Sequence, residues 1–482
     1  MTKNIVIFSD GTGQRGGLLF DEHRSNIYKL YRAMRCSPDS TVDPNTQFAF
    51  YDAGIGTLPS GVGFLGAIGQ KLYNVICQAT GLGLTGNIVD CYAQVMRNYE
   101  PGDRIWLFGF SRGAYTVRCL AAVISMCGVP TRMKDSSPLR RDEATCKEIA
   151  REAVTKVYQH VSSPRDTGHV EERRLLAARF RKEHGSSEPD SLKANAFPHF
   201  IGVFDTVAAL GNVGSMLVVA VIASILLGAI GLAGWALVGG FWVWVIAAAA
   251  VSALGGVVAY LKTHVKVAFG LPGIPWWRTL HMTEFRMQFY DQQLNANVGW
   301  ARHALAIDER RKDFDRVPWG DPKDWRRTAK GEPQWFEQVW FAGNHSDVGG
   351  SYPEAESRLS DISLGWMLEE ALSVPGGLQV DRSVLRTFPS ARGMQHDETR
   401  GWAFRFGKKI DRSINRKAPL HPTVLERFKV ASVLHFDLDR PYRPESLRHH
   451  EAVVTYYDQP HSPQSKGDTD GQATPAVATT DT

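Results

Sequence analysis

Cysteine is scarce and never closely spaced: Cys36, Cys77, Cys91, Cys119, Cys127 and Cys146 are scattered among apolar neighbours with no C-x-x-C pair. That absence removes the ligand pattern of a zinc ribbon and the dithiol of a redox centre, and it favours a reduced compartment over a disulfide framework. A charge excess is missing too. Lys and Arg number 55 against 50 Asp and Glu over 482 residues, a formal +5, which gives no electrostatic footprint for nucleic acid. Basic pairs such as Arg173-Arg174 alternate with apolar positions at helical spacing, as solvated helix faces do. There is no internal repeat. The N-terminus opens on an apolar strand pattern at 4–8 and lacks a basic region followed by a signal segment, which predicts a folded part that stays in the cytosol. Residues 459–482, rich in Pro, Ser, Thr, Gly and Asp, have too little apolar content to fold and read as a disordered tail.

One absence is local. Between Asp205 and Lys262 there is not a single Asp, Glu, Lys or Arg. Within that stretch, residues 216–238 and 241–261 each approach the ~20 apolar residues that a helix needs to cross a bilayer. Gly239-Gly240 separates them, Trp235, Trp242 and Trp244 cluster round the break, and Lys262, His264 and Lys266 follow the second segment. Indoles at the far interface and cations on the return side predict a membrane hairpin with both ends in the cytosol, either spanning or re-entrant. The competing reading is a pair of buried core helices.

What remains is an ordinary enzyme composition. Short apolar or β-branched runs at 4–8, 46–51, 104–108, 200–204 and 339–342 alternate with helical patterns at 26–34, 88–99, 115–126, 143–161 and 364–371. The alternation predicts an α/β fold, an α/β-hydrolase-like, mostly parallel sheet with helices on both faces, interrupted by the apolar hairpin. The predicted divisions are 1–212, the first part of the hydrolase domain; 213–262, the hairpin; 263–458, the second part; and 459–482, the tail.

The run at 104–108 leads into Gly109-Phe110-Ser111-Arg112-Gly113 and then into a helical pattern. Strand, sharp turn and helix form the setting in which G-x-S-x-G presents a serine nucleophile, with Gly109 and Gly113 making room for the turn. Such a serine needs a base and a carboxylate to orient it, and in chain order these follow the nucleophile, each beyond a later strand. Asp205, directly after the run at 200–204, is the expected acid. His345, just beyond 339–342, is the expected base. His199, His303 and His421 are read as structural: the first precedes a strand, the second sits in a helical segment and the third precedes Pro422 in a turn. Asp347 is the rival acid, but its place two residues from His345 suits shaping the histidine loop. For the oxyanion, the backbone N–H of Arg112 is one expected donor and that of Gly11 or Thr12 the second, with Asp10 holding the turn.

Taken together, Phe8-Ser9-Asp10-Gly11-Thr12-Gly13, Tyr51-Asp52-Ala53-Gly54-Ile55-Gly56-Thr57, the stretch around Ser111, Gly202-Val203-Phe204-Asp205-Thr206-Val207, Arg302-His303-Ala304-Leu305 with Asp308-Glu309-Arg310-Arg311, and Asn344-His345-Ser346-Asp347-Val348-Gly349-Gly350 resemble the DUF2235 family. That family is an α/β-hydrolase domain related to the phospholipase effectors of type VI secretion. The resemblance implies ester hydrolysis by Ser111, Asp205 and His345, with lipids as the substrate class.

A haloacid-dehalogenase-type phosphatase would share the Asp-Gly-Thr turn, but Phe8 stands where its nucleophilic aspartate should be. Gly81-Leu82-Gly83-Leu84-Thr85-Gly86 matches G-x-G-x-x-G without a clean buried strand before it, which argues against a dinucleotide site. The expectation is therefore a membrane-anchored serine hydrolase of lipid esters, facing the cytosol from what would be the inner membrane of a bacterium. Its partners are the ester substrate and, through residues 216–261, the bilayer; no cofactor and no metal enters the scheme. The alternative is a non-catalytic, membrane-tethered binding protein on a hydrolase scaffold.

Overall fold

The computed structural model describes residues 2–11, 23–54, 82–207, 213–283, 294–319, 331–400 and 408–458. Six strands form one sheet: β1 Asn4–Ser9, β2 Gln47–Asp52, β3 Arg104–Phe110, β4 Pro198–Phe204, β5 Trp300–Ala306 and β6 Phe336–Phe341. Their order is β2-β1-β3-β4-β5-β6 and every pairing is parallel. Period-two alternation sends the side chains of each apolar run to two cores. Ile5, Ile7, Ile105, Leu107, Ile201 and Val203 enter one core, while Val6, Phe8, Trp106, Phe108, Phe200 and Phe204 enter the other. Strands buried on both faces have to be nearly continuous hydrophobic runs, and β1 and β3 are. Each such side chain contributes about 1.5–3 kcal/mol when fully buried.

Helices α1 Asn26–Met34, α2 Leu82–Asn98, α3 Arg112–Cys127, α4 Glu143–Glu152 and α5 Val170–His184 connect the first four strands. Ser25 caps α1 by accepting the Tyr28 N–H. The predicted helix over 143–161 is not continuous: beyond α4 the chain passes into a π-turn at Ala153–Val157 and a 3-10 turn at Tyr158–His160. Leu82 to Gly86 of the G-x-G-x-x-G match form the first turn of α2.

His303 overturns a second helical expectation, because it lies inside β5. The Ala-rich run around it has helical propensity, but Ala301 and Ala304 fill the two cores from a strand hydrogen-bonded on both sides. Tertiary pairing outweighs a propensity worth only tenths of a kcal/mol per residue. His199, expected before a strand, is the second residue of β4. His421 caps helix α10 Pro422–Lys429 instead of making a simple turn.

The uncharged insert forms two helices, α6 Val213–Val238 and α7 Phe241–His264, joined at Gly239 and Gly240, both at positive φ. They approach closely through small residues: a Cβ on Gly231 would come within 2.3 Å of Val245, and one on Gly234 within 2.2 Å of Trp244. The buried-core reading fails for α7, whose most apolar window is wholly unburied; Trp242 is 70% exposed. Among the described residues, α7 is the one helix long and apolar enough to cross a membrane, and Leu227–Val238 of α6 forms a shorter apolar stretch. The expected pair of spans is thus represented by a single span-length helix. Beyond α7, Val265–Lys266 pairs antiparallel with His281–Met282. After β6 come α8 His345–Gly349 and α9 Arg358–Ser373, then α10. The predicted tail lies outside the described residues.

Candidate active site

In an open parallel sheet, ligand sites form beyond the carboxyl ends of the strands, at the point where strand order reverses. Here that point lies between β1 and β3, and three predicted residues leave the sheet at that end: Asp10 after β1, Ser111 after β3 and Asp205 after β4. His345 follows β6.

Ser111 sits between β3 and α3 at φ 58°, ψ −121°, a conformation that costs a non-glycine residue of order 1–3 kcal/mol. Its N–H donates to Phe204 O at 3.1 Å, which ties the turn to the neighbouring strand. The two flanking glycines are required by close approach. A Cβ on Gly113 would fall 1.9 Å from Ser9 O, and one on Gly109 would fall 2.6 Å from Gly113 O. The Ser111 hydroxyl does not cap α3. Arg112 opens that helix, so its backbone N–H has no partner within the helix.

His345 is the first residue of α8. Asn344 caps this short helix by accepting the N–H groups of Ser346 and Asp347, and Asp347 returns a carboxylate to the Asn344 N–H. The His345 Nδ1–H donates to Asp205 Oδ2 at 2.6 Å, and its ring stacks on Phe110, the neighbour of Ser111, at 4.6 Å between centroids. Its Nε2 is buried and has no hydrogen-bond partner among the described residues. Asp347 does not reach the imidazole; its other oxygen accepts from His396 Nδ1 at 2.7 Å.

Asp205 is fully buried, at φ 36°. Its carboxylate accepts from His345, from the Ala306 N–H at 3.0 Å and from both terminal nitrogens of Arg412, Nη2 at 2.9 Å. Burial pushes this carboxyl upward, but the Arg412 guanidinium and the His345 hydrogen bond outweigh it and hold the group well below the usual carboxylate range. Arg412 is itself pinned by Ala306 O at 2.9 Å and Phe314 O at 3.0 Å.

Asp10 accepts from the Gly11 N–H at 2.7 Å, from the Tyr51 hydroxyl at 2.6 Å and from the Ser25 hydroxyl. Burial pushes its carboxyl up to about 6, against the pull of these three donors. Asp10 thus holds the turn through its carboxylate, and the Gly11 N–H, one of the two alternatives for the second oxyanion donor, donates to it. Thr12 lies outside the described residues.

His303, weighed and set aside in the sequence, faces Gln338 Oε1 at 3.2 Å, and burial next to Arg118 lowers it to about 3. Sequence reasoning missed Arg412 and Glu309. Glu309 accepts the His345 backbone N–H at 3.3 Å and is ion-paired to Arg311 at 2.7 Å. A signal for Glu309 was present, since it belongs to the Asp308-Glu309-Arg310-Arg311 motif; Arg412 had none.

Among curated proteins, the chain is similar to the uncharacterized protein YEL023C of Saccharomyces cerevisiae, 28% identical over 218 residues, covering 43% of this chain and 27% of that one. Among solved structures, an uncharacterized protein from Pseudomonas aeruginosa aligns with a TM-score of 0.35 and 18% identity, over 80% of this chain and 48% of that one. The Tle1 effector bound to the VgrG spike of the type 6 secretion system aligns with a TM-score of 0.28 and 18% identity, over 73% and 52%. The chain thus spans about a quarter of the yeast relative and about half of each solved structure. A model of the T6SS phospholipase effector Tle1-like catalytic domain matches residues 3–225 and 265–370, breaking off within the uncharged insert and resuming after it, and the chain belongs to that family.

Proposed function

We propose that this protein is a membrane-anchored serine hydrolase that cleaves a lipid acyl ester, with its catalytic part on the cytosolic side. The observation that carries the reading is the His345 imidazole: Nδ1 is held by the Asp205 carboxylate, while a buried Nε2 beside the Ser111 turn is left without a partner among the described residues. Unpaired buried polar atoms are rare enough to need a reason, and a general base awaiting a proton is one. In this scheme Nε2 takes the Ser111 proton as Oγ attacks the ester carbonyl. The Arg112 N–H steadies the oxyanion, and His345 then protonates the departing alkoxide. Water, activated in turn by His345, releases the acid from Ser111. The second oxyanion donor in this reading is the Thr12 N–H.

Family membership favours a lipid as the substrate. The test is acid release by detergent-solubilised protein from labelled phospholipids, monoacyl lipids and a soluble short-chain ester. A lipid should be cleaved at least as fast as the short ester. Tight lipid binding with no cleavage of any ester would establish the binding-protein alternative.

The anchor rests on α7 and on topology. Asp205 precedes the insert and His345 follows it, yet the two meet at 2.6 Å. A single crossing would leave them on opposite sides, so the contact favours a hairpin that enters and returns. Replacing residues 216–261 with a short Gly/Ser linker is expected to move the protein to the soluble fraction while short-ester hydrolysis persists. Bilayer-lipid turnover should fall, because anchoring supplies effective concentration and no catalytic group. Retention of the deletion variant on membranes would refute the anchor.

A further inference from the structure

Apart from the Asp205–His345 pair, three histidines and one glutamate converge on a single point. His160 ends the 3-10 turn that follows the π-turn after α4, His169 directly precedes α5, Glu172 lies in its first turn, and His281 comes from the short ladder beyond the hairpin. One ligand atom from each residue lies within 4.8 Å of all the others. Two of these separations are already short: His160 Nε2 to Glu172 Oε2 is 2.9 Å, and His169 Nδ1 lies 3.1 Å from both Glu172 oxygens. The His169 and His281 rings stack with centroids 3.8 Å apart, and the His160 ring stands edge-on to both. His160 and Glu172 are buried.

Hydrogen bonding alone does not account for this arrangement. His281 Nδ1 faces Thr279 O at 2.9 Å and its Nε2 faces His160 O at 2.8 Å. A neutral imidazole can donate only once, so one carbonyl would go unmet. A divalent cation gives the nitrogen that carries no hydrogen a partner: one His281 nitrogen keeps its carbonyl as the outer partner, and the lone pair of the other, which in the neutral ring would face a carbonyl oxygen, turns to the ion. Metal–ligand bonds of about 2.0–2.2 Å in a tetrahedron place neighbouring ligand atoms roughly 3.4 Å apart, close to the two short separations here. The π-turn before His160 fits as well, since such turns gather at functional sites.

We propose that His160, His169, Glu172 and His281 form a structural site for a divalent first-row transition ion, with three imidazole nitrogens and one carboxylate suiting zinc. The site would clasp the segment returning from the apolar hairpin, through His281, to α5 of the sheet domain. It thereby revises the expectation that no metal takes part. The ligands run His160-x8-His169-x2-Glu172 and then His281, a spacing that no sequence motif for zinc would register.

The test uses untagged, full-length protein in detergent, desalted and assayed for metals by elemental analysis. About one zinc per chain is expected, directly or after incubation with Zn2+ and desalting, and roughly a tenth of that or less in His169→Ala and His281→Ala. Chelation should lower the thermal midpoint of the wild type by several degrees, and Zn2+ should restore it; neither variant should respond. Fluorophosphonate labelling of Ser111 in the same samples reports folding, and if an alanine variant fails to label, Glu172→Gln takes its place. Wild-type protein that retains no metal after incubation with Zn2+ overturns the proposal, as does equal zinc in wild type and folded variants.

Discussion

Ser111→Ala is expected to abolish labelling by a fluorophosphonate and to lower ester turnover by roughly three to six orders of magnitude, because members of a nucleophile–base–acid set act as a unit. The loss should come without unfolding. The strained backbone at φ 58° suits alanine no worse than serine, and the hydroxyl being removed caps nothing in α3. The flanking contacts, Gly113 against Ser9 and the Ser111 N–H on Phe204 O, belong to the backbone and survive the substitution. The thermal midpoint should therefore stay within a few degrees of wild type while activity disappears. Labelling that persists in the variant, at another serine, would remove Ser111 as nucleophile.

Much of this arrangement could be read from the chain, and the parts that could not share a physical cause. The strands were legible because burial on both faces forces apolar runs such as Ile5-Val6-Ile7-Phe8. The relation to phospholipase effectors was legible because ordered motifs mark the carboxyl ends of those strands. His303 was misjudged because β5 replaces large apolar side chains with alanine, and only its hydrogen-bonded neighbours make it a strand. The break after α4 escaped notice because a π-turn keeps a near-helical apolar period. The hydrogen bond from the Gly11 N–H to Asp10 could not be read, because a free backbone N–H and one that donates to the preceding aspartate look identical in sequence. Arg412 lies 207 residues from the carboxylate it holds, in a stretch without period or motif. The His160 group combines a local pair of spacings with a ligand 109 positions beyond Glu172, so only the folded chain assembles it.

Asp205→Asn should be far more damaging than Asp347→Asn, although both carboxylates flank the same histidine loop. The amide removes the charge that stabilises the imidazolium and can present an N–H where Nδ1 needs an acceptor, a change that costs about 10⁴ in turnover in comparable sites. Asp347 bonds instead to His396 and to the Asn344 N–H, so its substitution should cost helix α8 about 1 kcal/mol of capping and change turnover by roughly tenfold at most. The pH dependence separates the two roles further. The folded-state pKa of Asp205 lies below its unfolded value of about 4, so its contribution to stability is fully present above pH ~4 and fades as pH falls through the folded value. From pH 5 upward the acid stays ionised, and any fall in activity there must come from another group. Removing its counter-ion through Arg412→Ala should reverse this protection, since burial alone raises the carboxyl, and should destabilise the protein by about 3–5 kcal/mol as an uncompensated buried charge. Activity of that variant should then begin to decline at a higher pH than that of the wild type, because its acid is no longer held ionised. Equal losses in Asp205→Asn and Asp347→Asn, or the reverse order, would mean that the loop rearranges around substrate and that Asp347 serves as the acid.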